Sequence, residues 1–374
     1  MRIAIDLRSL ASKDFSGVEN YCSRLVAGLL EMDRHNEYIL FTSGRNKTLE
    51  SELQFVNAKE CKVRWPNRLL NLVFLLGFKK IEDFTGPVDL VFMPNPGLVS
   101  LRAETKLVLT VHDLSPELLP EHYDFKRRVW HKMLNLKKLA NRADIIIAVS
   151  EHTKQDIVKL YGILPDKIKV IYPGVDIKKE DEELPEKKLR EIRNTYNLPG
   201  RYLLFINTLE PRKNLGNLLK AFNSLHDSTH LVIAGKKGWN YNEFFKQIKN
   251  SPKKNQIHYL GYVKEEDKAS LISLAKAVVY PSFYEGFGFQ PVEAFALGVP
   301  VVATQVSSVP EITGDAALLV NPYHISGIAQ GLTEVLNNNF LRAQLIAKGR
   351  ERAGRFNWVE SAKKVLTVFE SVKS

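Results

Sequence analysis

The sequence predicts an α/β protein built from two doubly wound domains. Short runs of Ile, Val and Leu alternate with longer helical patterns along the chain, and this alternation is typical of βα units in a parallel sheet buried on both faces. The apolar runs fall into two series, separated by a charged stretch near the middle of the chain. With 374 residues, of which 44% are hydrophobic, the chain is long enough for two such domains.

Each series of apolar runs predicts the strands of one sheet. In the N-terminal domain, residues 1–172, the predicted strands are residues 3–5, 38–41, 90–92, 107–111, 145–149 and 169–172. In the C-terminal domain, residues 200–357, they are residues 202–206, 230–234, 257–260, 277–280, 299–303 and 317–320. Ligands of such Rossmann-like sheets bind beyond the carboxyl ends of the strands. We therefore expect two Rossmann-like domains that face each other across a ligand cleft.

The remaining segments connect or close these domains. Residues 173–199 are predicted to be the interdomain connection, because Pro and Gly punctuate a charged stretch with little apolar periodicity. Residues 358–374 have the apolar spacing of a helix that either closes the second domain or crosses back to the first. Because charge interrupts the first apolar run, we expect a strand there and not a signal peptide. No apolar run approaches the length of about 18 residues that a membrane span requires.

The charge balance narrows the class of partner. The chain has 53 Lys and Arg residues against 42 Asp and Glu residues, a net charge of +11, which suggests an anionic partner. The excess is spread over both halves, and no zinc-finger or RNP-type motif occurs, so we expect no nucleic acid partner. Cys22 and Cys61 are too few for a disulfide framework, which favours a reducing, cytoplasmic compartment.

The loop after the predicted strand at residues 277–280 carries two carboxylates, Glu285 and Glu293. Pro291 fits the first position of the next helix, and Gly298 fits the position just past its end. The helix N-terminus predicts a phosphate cradle. Glu293, in the predicted first turn, would be repelled by phosphate and is expected to bind neutral hydroxyls such as those of a ribose. In the alternative interpretation, Glu293 only completes the turn and Glu285 is solvated.

A second loop, at residues 207–215, follows the predicted strand at residues 202–206 and carries the adjacent cations Arg212 and Lys213. These side chains can neutralise a diphosphate and the charge that develops on a leaving phosphate. The alternative is a pair of solvated loop cations. We expect no metal cofactor, since the sequence shows no Asp/Glu cluster of the kind that holds Mg²⁺.

Four motifs together resemble glycosyltransferase family 4. They are EGFGFQPVEA at residues 285–294, EPRKNL at 210–215, VSEHTK at 149–154 and IYPGVD at 171–176. The similarity extends from residues 5–8 to residues 356–358 and so covers nearly the whole chain. The resemblance implies the GT-B fold and a transfer that retains the anomeric configuration. The 210–215 loop is similar to that of bacterial mannosyltransferase members.

The resemblance also assigns roles to matching residues. Arg212 and Lys213 match the pair that binds the donor diphosphate and stabilises the leaving nucleoside diphosphate. Glu293 matches the glutamate that binds the donor ribose, and Glu285 matches the one that contacts the donor sugar. His112 matches a histidine near the reacting sugar, whereas without the match a structural histidine would be the default. The backbone expected around the sugar and the phosphates is that of Gly286, Phe287 and Gly288.

Other matches carry departures from the family pattern. Gly17 matches a Gly-rich loop that approaches the phosphates, although this chain has Ser16 where many members have a second glycine. Asn207 stands where many relatives have Gly and is expected to narrow the space near the donor. Gly235 and Val263 lie in segments that match the lining of the nucleotide base pocket.

The acceptor side has a weaker sequence signal. The stretch from Lys126 to Arg142 has seven basic and no acidic residues and the periodicity of one amphipathic helix. Its functional interpretation is contact with an anionic membrane surface or a lipid-linked acceptor at the inner face of the cell membrane. The alternative is a helix that covers the first sheet and exposes a solvated face.

These observations predict a retaining, metal-independent glycosyltransferase that acts in surface polysaccharide or lipopolysaccharide synthesis. The predicted donor is a nucleotide sugar, with GDP-mannose favoured and a UDP-hexose open, and the predicted acceptor is a glycan or lipid-linked glycan. A nucleotide-sugar epimerase on the same scaffold is one alternative. A non-catalytic nucleotide-sugar or glycan-binding relative is the other.

Overall fold

The computed structural model describes residues 1–11, 17–44, 53–175 and 184–373. The described residues form two compact units. The first unit comprises Met1–Leu114, Val129–Gly174 and Asn357–Ser374, and the second comprises Ser115–Arg128 and Val175–Phe356. Ser16 and the charged stretch at residues 178–183 lie outside the described residues.

The first unit contains a sheet in which seven parallel strands occur in the order β3-β2-β1-β4-β5-β6-β7. The strands are β1 Arg2–Asp6, β2 Glu37–Ser43, β3 Ala58–Val63, β4 Leu90–Met93, β5 Lys106–Val111, β6 Ile145–Ala148 and β7 Ile168–Val170. The six predicted strands are all present. The additional strand, β3, lies at the edge of the sheet, where charged side chains replace the apolar run that marks a buried strand.

Helices flank this sheet and supply its core with apolar faces. In the described part of the first unit they are Gly17–Met32, Asn67–Leu75, Glu82–Thr85, Leu136–Arg142, Glu151–Tyr161 and Trp358–Lys373, with the 3-10 turns Arg8–Ala11 and Pro165–Lys167. The helix Phe125–Leu134 begins in the second unit and ends in the first.

The C-terminal helix Trp358–Lys373 belongs to the first unit. Its Ser361 hydroxyl donates a hydrogen bond of 2.6 Å to the carbonyl of Tyr172, and its Phe369 ring lies 5.2 Å from that of Phe92 on β4. Gly174 leaves no space for a side chain, because a Cβ there would lie 2.2 Å from the backbone nitrogen of Trp358. Of the two positions that the sequence left open, this helix therefore takes the one on the first unit.

The second unit contains a sheet in which six parallel strands occur in the order β10-β9-β8-β11-β12-β13. The strands are β8 Tyr202–Ile206, β9 His230–Ala234, β10 Ile257–Gly261, β11 Ala277–Tyr280, β12 Val301–Thr304 and β13 Ala317–Val320. Its described helices are Ser115–Leu118, Glu186–Thr195, Leu215–Asn223, Asn242–Lys249, Glu265–Ser273, Phe289–Ala296, Val309–Thr313, Ile325–Asn337 and Asn339–Ala353. The predicted α/β class with two parallel sheets is confirmed.

Two segments are grouped differently from the predicted domain division. Ser115–Arg128, which the sequence placed in the N-terminal domain, makes its contacts with the second unit. The predicted connection at residues 173–199 contains the helix Glu186–Thr195, and Ile192 and Leu198 are buried in the core of the second unit.

The single basic helix predicted from Lys126 to Arg142 is wrong, because the structure has two helices, Phe125–Leu134 and Leu136–Arg142. Asn135 separates them in the left-handed region, with φ of 47°, and its side chain accepts a hydrogen bond from the backbone nitrogen of Lys138. An asparagine tolerates this conformation and caps the second helix. Among the described residues, no helix combines the length and the apolar character that a membrane crossing requires.

The order of the strands reverses once in each sheet. In the first sheet the chain runs outward from β1 to β2 and β3 on one side and resumes at β4 on the other; in the second, it does the same at β8 and β11. Loops at the carboxyl ends of the two strands that flank such a switch point diverge and leave a crevice. The sheet order therefore marks two positions for binding sites, one within each unit.

Candidate active site

The switch point of the second sheet brings together the two loops that the sequence singled out. After β8, the 3-10 turn Pro211–Lys213 is followed by Asn214, which has a left-handed φ of 57°. The buried Asn214 amide donates hydrogen bonds to the carbonyls of Pro281, 2.9 Å away, and of Pro322, 2.8 Å away. Asn214 thus fixes the turn after β8 against the loop that follows β11.

Arg212, Lys213 and Glu285 form a buried ion-pair cluster in this crevice. The Lys213 ammonium lies 2.7 Å from Oε1 of Glu285, and Nη1 of Arg212 lies 3.2 Å from Oε2 of the same carboxylate. Arg212 also pairs with Glu210 at 2.9 Å. At most 12% of any of these four side chains is exposed, so solvent screens their interactions little. The structure therefore brings three of the predicted site residues into direct contact.

The charges in this cluster determine how Glu285 is ionised. Burial alone would raise the pKa of the Glu285 carboxyl, but Lys213 and Arg212 outweigh it and hold this pKa below its usual value. Glu285 is therefore a carboxylate at neutral pH. With Glu210 included, the two cations are balanced by two carboxylates in this structure. A diphosphate that enters the crevice must take over hydrogen bonds that Glu285 now receives.

The backbone around Glu285 is held by Ser307 and Ser308, which follow β12. The Glu285 amide donates to the Ser307 hydroxyl at 2.9 Å, and the Ser308 hydroxyl donates to the carbonyls of Glu285 at 2.9 Å and Phe287 at 3.2 Å. The Phe287 side chain is buried against Phe356, with ring centroids 5.3 Å apart. The stretch from Gly286 through Phe287 is thus anchored on both sides, which leaves its backbone in a defined conformation. Neither serine is marked by a sequence motif, because both reach Glu285 from the loop after a different strand.

The helix after this loop begins earlier than predicted. It spans Phe289–Ala296, so Pro291 is its third residue and not its first, and Glu293 lies beyond the first turn. Gly288 precedes the helix with a φ of 98°, a left-handed conformation that ends the loop at this point. Pro291 is still tolerated, because the first four backbone N–H groups of a helix have no intrahelical acceptor. Gly298 follows the helix with a φ of 66°, as its predicted position requires.

Glu293 is held by Lys268, a lysine that no sequence motif marks. Oε1 of Glu293 lies 2.5 Å from the ammonium of Lys268, which is also 3.5 Å from Glu265. Burial alone would lower the pKa of Lys268, but Glu293 and Glu265 raise it above its ordinary value. Lys268 lies on the helix Glu265–Ser273, which follows β10. The ion pair therefore fixes Glu293 from a neighbouring helix.

Gly235 and Asn207 lie side by side at the ends of β9 and β8. Gly235 has a φ of 138°, and a Cβ there would lie 1.8 Å from the backbone oxygen of Asn207. Oδ1 of Asn207 accepts a hydrogen bond from the Thr208 amide at 2.9 Å, and its buried Nδ2 makes no hydrogen bond to the described residues. The side chain of Val263, after β10, is buried in the core of the unit.

His112 and Gly17 belong to the first unit and not to this cluster. Nε2 of His112 lies 2.8 Å from the carbonyl oxygen of Pro94, and since that oxygen can only accept, Nε2 carries the hydrogen. Burial lowers the pKa of His112, which favours a neutral ring with Nδ1 as the acceptor. Gly17 is exposed at the start of the helix Gly17–Met32.

The segment Ser115–Arg128 contributes to an aromatic cluster around Trp239 in the second unit. The Trp239 indole donates a 2.6 Å hydrogen bond to the carbonyl of His122 and stacks on Tyr123 with ring centroids 5.4 Å apart. Arg127 covers the same indole at 4.2 Å. Burial lowers the pKa of His122, Glu121 partly opposes this effect, and Arg212 is close enough to lower the pKa further. No local pattern marks such a contact, because it joins residues far apart in the sequence.

The fold and this site define a glycosyltransferase. The family model "Glycosyl transferases group 1" matches residues 188–352, and the model "Glycosyltransferase Family 4" matches residues 15–179. O-antigen chain mannosyltransferase B of Escherichia coli is 32% identical over 274 residues, which cover 71% of this chain and 70% of that protein. The chain belongs to the family 4 glycosyltransferases and carries their group 1 domain in its C-terminal half. The resemblance given by the sequence motifs is thereby confirmed.

Solved structures show the same GT-B fold. Sucrose-phosphate synthase from Thermosynechococcus elongatus aligns with a TM-score of 0.78 and 19% identity over 99% of this chain and 98% of that one. Anabaena Alr3699/HepE, solved in complex with UDP-glucose, aligns with a TM-score of 0.75 and 18% identity over 99% of this chain and all of the other.

Proposed function

We propose that this protein is a retaining, metal-independent glycosyltransferase of surface polysaccharide synthesis. It transfers a hexose from a nucleotide sugar, with GDP-mannose as the favoured donor, to a glycan or lipid-linked glycan. The observation that carries the proposal is the convergence of Arg212 and Lys213 on Glu285 at the switch point of the second sheet.

The order of the strands supports a linear donor site along the carboxyl edge of this sheet. The strands β10, β9, β8 and β11 are neighbours in that order. The loops that follow them carry, in the same order, Val263, Gly235, Arg212 and Glu285. With strands about 4.8 Å apart, the loops extend over roughly 14 Å. A nucleotide sugar has its base, diphosphate and sugar in this linear order. We therefore place the base beside Gly235 and Val263, the diphosphate at Arg212 and Lys213, and the sugar beside Glu285.

The chemistry that we propose breaks the bond between C1 of the sugar and the diphosphate oxygen. The bonding electrons leave with this oxygen, and Arg212 and Lys213 stabilise the negative charge that accumulates on it. The acceptor hydroxyl attacks C1 from the face that the phosphate leaves, and its proton passes to the departing phosphate. Glu285 orients the sugar hydroxyls, and Glu293, held by Lys268, binds the ribose.

We propose metal independence because Arg212 and Lys213, once a diphosphate takes over the hydrogen bonds that Glu285 now receives, supply the positive charge that a divalent ion would otherwise provide. Among the described residues, no group of three or more His, Cys, Asp or Glu side chains is arranged to hold a metal ion. The test is turnover in EDTA, followed by addition of Mg²⁺ or Mn²⁺. Activity that is lost in EDTA and restored by either ion would contradict this part of the proposal.

Similarity to known proteins supports the choice of donor and pathway. The Escherichia coli relative is named as an O-antigen chain mannosyltransferase, which favours mannosyl transfer in the synthesis of a surface polysaccharide. HepE, which shares only the fold at 18% identity, was solved with UDP-glucose, so a UDP-hexose is the second donor to test. A thermal-shift panel of GDP, UDP and their hexose conjugates discriminates the two, since a bound ligand raises the melting temperature.

The decisive experiment measures nucleoside-diphosphate release by wild type and Lys213→Ala. Removing one group that stabilises the leaving phosphate is expected to lower kcat about 10²- to 10³-fold. Lys220→Ala, on the exposed face of the next helix, is the matched control and retains activity. Tight donor binding by wild type without turnover would instead indicate a non-catalytic binding protein. Equal turnover by Lys213→Ala would remove this lysine from the mechanism.

We further propose that the protein works at the inner face of the cell membrane and contacts anionic lipid through residues 126–142. No residue of the helix Phe125–Leu134 is buried, and Phe125, with 72% of its surface exposed, and Met133 present apolar surface beside the basic residues. Flotation with anionic vesicles is expected for wild type and reduced in Lys137→Glu/Lys138→Glu. Undiminished flotation of this variant would contradict the contact.

A further inference from the structure

We propose that Glu285 makes the donor site selective for a nucleotide sugar over the nucleoside diphosphate that remains after transfer. Its carboxylate is a counter-anion built into the site, and it competes with a diphosphate for Lys213 and Arg212. The identity of the ligands rests on the proposed function, whereas the competition follows from contacts within the second unit. The family resemblance gives Glu285 a contact with the donor sugar, and release of the product is a separate role.

Carboxylates already occupy both cations of the site. Nη1 of Arg212 donates to Oε2 of Glu285 at 3.2 Å and to the carbonyl of Tyr284 at 3.0 Å. Its Nε and Nη2 donate to Oε1 of Glu210 at 3.2 Å and 2.9 Å. The Lys213 ammonium donates to Oε1 of Glu285 at 2.7 Å. A diphosphate therefore binds these cations only by displacing the carboxylates or by sharing the cations with them.

The backbone keeps Glu285 beside the cations. The Phe283 amide donates to the carbonyl of Arg212 at 2.9 Å, so the loop that carries Glu285 is joined to the turn that carries the cations. The amide and the carbonyl of Glu285 are in turn held by Ser307 and Ser308. The carboxylate consequently remains close to a diphosphate that enters the crevice. Like charges repel strongly at such a range where solvent screens them little.

A buried carboxylate that loses its cations needs other partners. Only 7% of the Glu285 side chain is exposed, so water compensates its charge little. Burial raises the pKa of Glu285, and the charges of Lys213 and Arg212 bring it below its usual value. Burial, and to a smaller extent the charge of Glu285, raises the pKa of Tyr280 well above its usual value, so this neighbouring phenol stays neutral. If phosphate takes both cations, the charge of Glu285 is therefore left without a compensating charge.

A nucleotide sugar supplies new partners for Glu285, whereas a nucleoside diphosphate does not. Sugar hydroxyls are hydrogen-bond donors, and their bonds to an ionised carboxylate are stronger than bonds between neutral groups. The nucleoside diphosphate lacks these hydroxyls, and its free terminal phosphate carries additional negative charge, which increases the repulsion. Once transfer has removed the sugar, the Glu285 carboxylate regains Lys213 and Arg212, and the nucleoside diphosphate leaves. The same contacts therefore favour both binding of the donor and release of the product.

Isothermal titration calorimetry of the intact protein with GDP, UDP, GDP-mannose and UDP-glucose measures this selectivity. Glu285→Gln keeps the volume of the side chain and removes its charge. We expect this variant to bind the nucleoside diphosphate about 10- to 100-fold more tightly than wild type does. The corresponding nucleotide sugar gains less, because its hydroxyls lose a charged acceptor. The preference for the nucleotide sugar over the nucleoside diphosphate should thus fall by at least about tenfold.

Two control variants separate selectivity from a general effect of charge. Glu210→Gln removes the other carboxylate that pairs with Arg212 and should tighten both kinds of ligand by similar factors. Glu334→Gln removes an exposed carboxylate from the helix Ile325–Asn337 and should change neither affinity. A further measurement uses wild type alone. The methyl ester of the nucleoside diphosphate has the charge of the nucleotide sugar but lacks its hydroxyls, and it should bind at least about tenfold more weakly.

The outcomes distinguish this role of Glu285 from a sugar contact alone, whose loss would weaken only the nucleotide sugar. A nucleoside diphosphate that binds Glu285→Gln no more tightly than wild type, or an unchanged preference, would overturn the proposal. Equal binding of the methyl ester and the nucleotide sugar by wild type would also overturn it, and this result does not depend on the folding of a variant. Failure of the proposed function has a separate sign: wild type then binds none of the four nucleotides, and the selectivity falls with it.

Discussion

The ion pair between Lys268 and Glu293 allows a quantitative test of the candidate site. Lys268→Met keeps most of the side-chain volume and removes the charge, which leaves the Glu293 carboxylate, 11% exposed, without its ammonium 2.5 Å away. Breaking a buried ion pair from one side costs about 3–5 kcal/mol, because the remaining charge is desolvated. Since Lys268 is itself 18% exposed, we expect a loss near the lower limit, about 3 kcal/mol.

The assay is thermal unfolding followed by circular dichroism between pH 6 and 9. For a domain of about 150–250 residues, 1 kcal/mol corresponds to about 2–4 °C, so Lys268→Met is expected to melt about 6–12 °C lower than wild type. The raised pKa of Lys268 keeps its ammonium charged in this window, so the difference should not depend on pH there. Its contribution to stability is lost only as the pH rises through the pKa of the folded protein.

Two further variants give the test its control. Lys264→Met removes a lysine from the exposed pair with Glu266, in which both side chains are more than 70% exposed, and should change the melting temperature little. Adding Glu293→Gln to Lys268→Met removes the uncompensated charge and should recover at least half of the loss. If Lys268→Met melts within about 1 °C of wild type, or if the second substitution recovers nothing, the ion pair does not hold Glu293 as described.

Three other predictions concern the charge and the backbone of the structure. Because the pKa of Glu285 is lowered in the folded protein, its ionised carboxylate stabilises the fold at pH values above its unfolded pKa of about 4.3, and this contribution is lost as the pH falls through the folded pKa. Urea unfolding at pH 3–6 should therefore show a free energy of unfolding that falls with pH in wild type, and Glu285→Gln should lack this part of the decrease. Gly235→Ala places a Cβ against the backbone of Asn207 at a φ of 138° and should cost more than about 2 kcal/mol in urea unfolding, whereas Gly200→Ala, with open space around it, should be within about 0.5 kcal/mol of wild type. Asn135→Ala should lower the free energy of unfolding by about 1–2 kcal/mol, because it removes the cap and places an alanine in the strained left-handed region. Asn135→Gly should lower it by less, because glycine adopts this φ without strain. Equal losses in the two variants would contradict the role of φ.

The sequence predicted the buried strands well and the exposed one poorly. Residues 202–206 and 277–280 are continuous apolar runs because both faces of a central strand are buried, and the structure has β8 and β11 at those positions. Strand β3, Ala58–Val63, contains two lysines and a glutamate, since an edge strand has little apolar surface to bury. The break at Asn135 was missed because helical spacing of apolar residues continues across it.

In the candidate site, the residues carried by local motifs were predicted and those that act across the fold were not. Arg212, Lys213 and Glu285 each follow a strand, and their motifs are visible in the sequence alone. Lys268 lies on the helix Glu265–Ser273, and the strand β11 separates this helix in the sequence from the helix that carries Glu293. No spacing rule in the sequence connects the two residues. The same holds for Ser308, because its hydrogen bonds depend on which strands are neighbours.

The helix Trp358–Lys373 has a consequence for the order in which the protein can be made. Its residues complete the first unit, yet the ribosome synthesises them after all of Val175–Phe356 has been made. The second unit can therefore finish folding first, while Gly174 and Tyr172 still lack the helix that packs against them. A nascent chain halted at Phe356 should hold a protease-resistant second unit beside a first unit that remains open to digestion.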